Sequence, residues 1–287
     1  MKLFSLEGNI QKLDGGAMYG NAPREMWKNW SPPDEKNRIP LACRSLLVQT
    51  DAGQNILFET GVGAFFEDKL KERFGISPSH HVLLESLLKI GLKEEDIDVV
   101  VLSHLHFDHS GGLLSEHKAG EEPRLLFPRA KVLVGATQWE RARNGHLRDK
   151  ASFIPTLNSQ LENSGRLVLV GDDGVSELAP LVTFSFSHGH TPGLMISKIQ
   201  LQSGPLVFVA DLIPGSPWVH VPITMGYDRY PERLIEEKTA LLKELVKSHG
   251  KLFFTHDPEM PCGLVLVDEK GKFSVSAVEV SSLVFMQ

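Results

Sequence analysis

Cysteine is scarce: Cys43 and Cys262 are the only two in 287 residues. Neither belongs to a CxxC pair, and two cysteines make no disulfide framework, so both read as reduced core thiols of a cytoplasmic protein. Long basic runs are missing and the formal net charge is −6, which argues against a nucleic-acid partner. No apolar run approaches the length of a membrane span. The opening stretch "MKLFSLEGNIQKLDGG" carries Glu7 early and lacks the apolar core of a secretion signal. There is no Pro/Gly/Ser-rich linker and no short-period repeat, so residues 1–287 read as a single domain with an N-terminal extension over about 1–40. GxSxG, a Cys–His pairing motif, the P-loop and GxGxxG are all absent, which removes serine and cysteine nucleophiles and the common nucleotide cradles.

The elements that are present alternate. "SLLVQT" and "NILFET" read as strands around the turn "DAGQ". "AFFEDKLKERFG" has a helical apolar stripe of Phe65, Phe66, Leu70 and Phe74. A second helix is expected with Ser77 as N-cap, Pro78 at its first position and Gly91 past its end. "IDVVVLSH" is a continuous apolar run, as in a strand covered on both faces. "AKVLVG" then "ATQWERARN" repeats the strand-then-helix order. A second half begins near Arg166 with "RLVLVG", followed by the strands "LVTFSFSHGH", "GLMISKIQL" and "PLVFVADL". "PERLIEEKTALLKELVKSHG" is a helix bounded by Pro231 and Gly250, and "KLFFTH" a buried strand. Sheet segments with covering helices imply a layered α/β sandwich.

Four of these apolar strands end in metal-capable residues: His104, then His188 and His190, then Asp211, then His256. In "SHLHFDHSGG", His104 and His106 are two apart, so extended backbone points both the same way. Asp108 and His109 are adjacent, point differently and can serve a second ion. Gly111 and Gly112 give the chain freedom to turn. One zinc takes about four ligands; this stretch offers more than one ion needs and less than two need. His190, Asp211 and His256 are placed by pattern to supply the rest. His188 reads as structural or as a support behind a ligand rather than a ligand itself, and His80, His81, His117, His146 and His249 as solvated. His220 sits in a loop beside apolar residues and is a candidate pocket residue.

The pattern "HLHFDH", with "FETGVG", "GHTPG", "ADL" and "FTHD" in order, resembles the signature of the metallo-β-lactamase-fold hydrolases. "LDGGAMYGNAPREMW" and "YDRYP" are similar to segments of the branch holding N-acyl-homoserine lactonases and methyl-parathion-hydrolase-like enzymes. The resemblance implies an αββα four-layer sandwich and two divalent metal ions, Zn2+ foremost, with Mn2+, Fe2+ and Co2+ also compatible with the N/O ligands. It assigns His104, His106 and His190 to one ion, Asp108, His109 and His256 to the other, and Asp211 to both. The chain departs from the family in three places. "ETG" replaces the usual "DTG", so Glu59 must reach a histidine with a longer arm. "SHGHTPGL" replaces "TPGHTPGH". Pro214 stands where lactonases often carry a carbonyl-polarising tyrosine, leaving Tyr227 or His220 to supply that donor.

The expected function is a binuclear hydrolase that opens a lactone or cleaves a lipophilic ester through a metal-bridging hydroxide, with Asp211 and Asp108 at the reacting centre. Met18, Tyr19, Trp27, Trp30, Trp218, Met225 and Tyr227 are candidate walls of an apolar pocket. Phosphotriester hydrolysis, glyoxalase II-like thioester hydrolysis and a non-catalytic metal-binding sensor or scaffold stand as alternatives. The N-terminal extension is a candidate surface for a homodimer.

Overall fold

Two six-stranded sheets organise the chain. The computed structural model describes residues 1–281 and divides the chain into two units, residues 1–11 with 42–173, and residues 12–41 with the chain from Gly174 onward.

The first unit's sheet runs in the order Lys2–Leu6, Ser45–Gln49, Asn55–Phe58, Val99–Val101, Lys131–Gly135, Leu167–Val170. The first three strands are antiparallel and the rest parallel. Val99–Val101 is buried throughout, which explains the uninterrupted apolar run: a parallel strand has no face left for solvent. Leu83 and Leu87, one turn apart on the helix Val82–Lys89, enter the same core as Leu157 and Leu161 of the helix Pro155–Asn163. Each such leucine contributes roughly 1.5–3 kcal/mol by leaving water.

Several expectations shift here. "RLVLVG" does not open a second half; Leu167–Val170 pairs in parallel with Lys131–Gly135 as the last strand of the first sheet. The helix Pro155–Asn163 supplies the crossover that a parallel pair needs. Phe65 and Phe66 precede the helix Asp68–Phe74, and Phe66 packs onto Phe74 and Phe107. Ser77 is not a helix cap. Ile10 and Ser77 exchange backbone bonds, and the Asn9 amide donates to the Pro78 and His80 carbonyls. The helix starts only at Val82, whose N–H donates to Asn9 Oδ1. A distant asparagine thus performs the capping that Ser77 was expected to do. Gly91 does lie past the helix end, with a left-handed φ of 80°.

The second unit's sheet runs Phe273–Ala277, Cys262–Val267, Lys251–Phe253, Leu206–Phe208, Leu194–Ile199, Val182–Ser187. Only Leu206–Phe208 and Lys251–Phe253 pair in parallel, and the helix Pro231–Lys247 lies between them in sequence. Val182–Ser187, Leu206–Phe208 and Lys251–Phe253 therefore point the same way, so the chain leaves all three at one edge. Cys43 and Cys262 are free and buried; burial pushes the Cys262 thiol up to about 12, consistent with an inert core thiol.

Most of the expected pocket aromatics are core. Tyr19 stacks between Trp27, at 5.6 Å, and Trp218, at 4.5 Å, and all three are buried with Met18 and Met225. The polar handles of Tyr19 and Trp218 are satisfied internally, which permits their burial. Trp218 Nε1 donates to the Met18 carbonyl and the Tyr19 hydroxyl pairs with Ser31 Oγ. Burial raises the Tyr19 phenol above its usual range. Trp30 remains exposed, in a groove of about 520 Å³ shared with Met26, Val219, His220, Lys272 and Phe273.

Lys238, on the helix Pro231–Lys247, is fully buried. Its Nζ donates to the carbonyls of Ile223 at 2.7 Å, Trp218 at 3.0 Å and His220 at 3.5 Å. One ammonium thereby gathers the turn from Trp218 to Ile223. Burial lowers this lysine to about 8, with Asp228 acting in the opposite sense. Below about pH 8 the folded and unfolded chains both hold the proton. Between about 8 and the ordinary value of 10.5 only the unfolded chain does, so Lys238 makes unfolding free energy rise with pH across that window. Urea titrations at pH 7.5 to 10 should show that rise in the native chain and its loss in Lys238→Met; parallel pH profiles would disprove the assignment.

Candidate metal centre

In the first unit, Asn55–Phe58 and Val99–Val101 run parallel and deliver Glu59, Ser103 and His104 from one edge. Glu59 has a left-handed φ of 60° and its N–H donates to the Val101 carbonyl, which turns its fully buried side chain toward the histidines. Glu59 Oε2 accepts from His109 Nδ1 at 2.9 Å. Glu59 Oε1 accepts from the Ser103 hydroxyl, and Ser103 Oγ in turn accepts from His104 Nδ1 at 2.9 Å. One carboxylate thus sets the tautomer of two imidazoles. With hydrogen on each Nδ1, each Nε2 presents a lone pair. His104 Nε2 lies 3.1 Å from His106 Nδ1, and His109 Nε2 lies 3.8 Å from Asp108 Oδ1. The remaining Asp108 oxygen, Oδ2, accepts from Gln11 Nε2 at 2.6 Å.

Gly111 and Gly112 serve packing rather than turning. Neither has positive φ, but a Cβ on Gly112 would sit 2.0 Å from the Thr60 carbonyl oxygen. His81, expected in solvent, is buried and its Nε2 donates to the Gly112 carbonyl at 3.0 Å. Burial lowers its pKa, so it supports the histidine loop as a neutral ring.

In the second unit, His190, Asp211 and His256 follow the three strands that share an edge. His190 Nε2 lies 3.2 Å from Asp211 Oδ2, and His256 Nε2 lies 3.3 Å from Asp211 Oδ1. His190 Nδ1 donates to Asp228 Oδ1 at 2.9 Å, while Asp228 Oδ2 accepts from the Met225 N–H. A neutral His190 then aims the lone pair of Nε2 at a carboxylate oxygen. Two lone pairs that close repel unless a cation, proton or metal, sits with them. Buried imidazole nitrogens and carboxylate oxygens are the donor set of a borderline divalent cation, so these residues fit a metal.

The supports around these residues are specific. The Glu237 carboxylate accepts from the Ser187 hydroxyl and from the His188 and Gly189 N–H groups, which fixes the turn before His190. Gly189 has to be glycine, because a Cβ would meet Leu234 Cα at 2.4 Å. His188 is structural as expected from its position: its Nδ1 accepts from the Gly193 N–H. Asp257, next to His256, accepts from Ser216, Glu259 and Met260.

The two candidate substrate donors differ in setting. His220 lines the groove with Trp30 and Phe273, whose walls include none of His190, Asp211 and His256. Burial, then Lys272 and Lys238, lower its pKa. Tyr227 is exposed and immediately precedes Asp228, which holds His190. Sequence reading missed Gln11, Ser103, Asp228 and Glu237. Asp228 carried a signal, lying within "YDRYP", and Ser103 adjoins a ligand candidate. Gln11, 97 residues from Asp108, carried none.

Comparison with known proteins agrees with this chemistry. The sequence profile of the metallo-beta-lactamase superfamily matches residues 38–256. An N-acyl homoserine lactonase from a Bacillus species is 26% identical over 253 residues, covering 83% of this chain and 89% of its own length. Among solved structures, a probable metal-dependent hydrolase from Staphylococcus aureus superposes with a TM-score of 0.85 at 27% identity, covering 96% of this chain and 95% of the other. AidC, a dizinc quorum-quenching lactonase in complex with its product N-hexanoyl-L-homoserine, superposes with a TM-score of 0.77 at 25% identity, covering 96% and 94%. With a family match across most of its length and the donor set that such proteins need, the chain belongs to the metallo-β-lactamase superfamily, has its fold, and is a metal-dependent hydrolase.

Proposed function

We propose that this hydrolase opens the ring of N-acyl-homoserine lactones or close lipophilic lactones at a binuclear centre. His104, His106 and His190 would hold one divalent ion, and Asp108, His109 and His256 the other, with Asp211 bridging. The observation that carries the reading is Asp211: each of its oxygens faces a different imidazole nitrogen, at 3.2 and 3.3 Å, which supports a role as the bridging carboxylate. The lactonase names among the relatives support the substrate class.

When bound, two divalent cations bring the pKa of water near neutrality and polarise the acyl oxygen. The chain's own residues supply the rest. Glu59 and Asp228 hold the outer nitrogens of His109 and His190, which fixes ring orientation and keeps the inner nitrogens available. Asp211 can take the proton of the attacking water and return it to the departing ring oxygen, so the ester becomes one carboxylic acid and one alcohol. Of the two candidate donors to the acyl oxygen we favour Tyr227, a reading supported by its neighbour Asp228, which is bonded to a proposed ligand.

Elemental analysis of chain purified without chelator should find two divalent ions, zinc first, and a lactone, ester, thioester and phosphotriester panel should show lactone as the preferred substrate. Preference for a phosphotriester or thioester would overturn the substrate class. Asp211→Asn keeps the shape but removes the charge; it should lose most activity and regain only part with excess metal. Full activity at normal metal occupancy in that variant would remove Asp211 from the bridge. Tyr227→Phe should lower kcat roughly 10- to 1000-fold with metal content intact, the scale of losing one oxyanion donor; unchanged turnover would leave polarisation to other groups. Glu59→Gln should weaken metal binding about 10- to 100-fold, measured by chelator competition, and unaltered affinity would mean that the histidine tautomers are set elsewhere.

A further inference from the structure

Gln11 stands out among the buried polar residues. It opens the strand Gln11–Asp14, is fully buried, and spends its amide on one acceptor: Nε2 donates to Asp108 Oδ2 at 2.6 Å. Only the NH2 end can face a carboxylate, so the amide orientation is fixed by chemistry. The cost is visible at its other end. Gln11 Oε1 is buried without a hydrogen-bond partner among the described residues, a loss of about 1–3 kcal/mol. The backbone before Gln11 is anchored as well: Ile10 exchanges bonds with Ser77, and Asn9 holds Pro78, His80 and Val82. The amide therefore stands on a rigid support.

We propose that Gln11 is a positioning residue for Asp108: it occupies Oδ2 and so turns Oδ1 toward the same point as His109 Nε2. This rests on the reading of Asp108 and His109 as ligands of one ion. Oδ1 and His109 Nε2 are 3.8 Å apart, far enough for a cation to lie between them and too far for a hydrogen bond with each other. His109 is locked from behind by Glu59, at 2.9 Å. Gln11 does for the carboxylate what Glu59 does for the imidazole. Without its donor, Asp108 can rotate about its Cβ–Cγ bond and present either oxygen. The site then pays the ordering entropy on binding the ion, and affinity falls.

The test uses the full-length chain, Zn2+ and Co2+, and competition with a chromophoric chelator. Gln11→Met keeps the side-chain length and removes the donor; Gln11→Asn keeps the amide but shortens its reach, and serves if the methionine variant does not fold. Either should weaken one of the two metal equivalents about 10- to 100-fold, leave the other unchanged, and alter the Co2+ absorption spectrum. In the Asp108→Ala background the same substitution at Gln11 should have no further effect, because the residue acts through Asp108. Native chain that binds fewer than two ions would overturn the binuclear reading itself. Native chain that binds two, with variants matching its affinities and Co2+ spectrum, would overturn only the role of Gln11. An undiminished Gln11 effect in the Asp108→Ala background would likewise rule out action through Asp108.

Discussion

An imidazole nitrogen with its lone pair exposed does not rest 3.2 Å from a carboxylate oxygen unless positive charge lies between them. His190 and Asp211 meet that constraint in a buried setting. Burial makes the repulsion severe, because little water is left to screen it. The chain answers by tying down the far side of each group. Asp228 takes the outer nitrogen of His190, Glu59 takes that of His109 and, through Ser103, that of His104. Every such bond removes the option of turning the ring so that it satisfies itself without a cation.

The backbone pays for this at two places. Glu59 has φ 60° and Ala210 has φ 44°, both left-handed and neither glycine. Conformations of this kind cost of order 1–3 kcal/mol each. Both lie just past strand ends, Glu59 after Asn55–Phe58 and Ala210 after Leu206–Phe208. An extended strand would send the next side chain to alternate faces; a left-handed residue breaks that alternation. At Ala210 the break directs Asp211, and at Glu59 it directs the carboxylate itself.

The ligand candidates were legible because strands and metals both impose spacing. Period two put His104 and His106 on one side, and apolar runs announced which strands were buried and where they ended. The supports were largely illegible, for a reason that applies to each. Asn9 caps a helix that begins at Val82, Gln11 reaches Asp108, and Glu237 holds the turn at His188. Such bonds join residues with no common spacing, and for Asn9 and Glu237 the partners are backbone groups that every sequence has. The aromatic residues erred in the opposite direction. Tyr19, Trp27 and Trp218 lie in segments with turn chemistry, which suggested an open pocket, yet stacking and two internal hydrogen bonds drew them into the core. Local polarity cannot reveal that a tyrosine hydroxyl has found Ser31.

Glu237 and Lys238 show how one helix can serve two loops with different tolerances. Consecutive residues on a helix point about 100° apart, so they reach different neighbours. Glu237 receives the Ser187 hydroxyl and the His188 and Gly189 N–H groups, and so fixes the turn that ends at His190. Lys238 receives no side chain; it gathers the carbonyls of Trp218, His220 and Ile223. A carbonyl acceptor does not depend on the identity of the residue that carries it. At His220 the side chain can therefore change while the lysine continues to hold the turn's path, whereas Trp218, Val219 and Ile223 are core residues. The turn before His190 has no such freedom, since Gly189 has no room for a Cβ against Leu234. In this unit, the turn held by Glu237 carries the proposed ligand, and the turn held by Lys238 carries His220 at the groove.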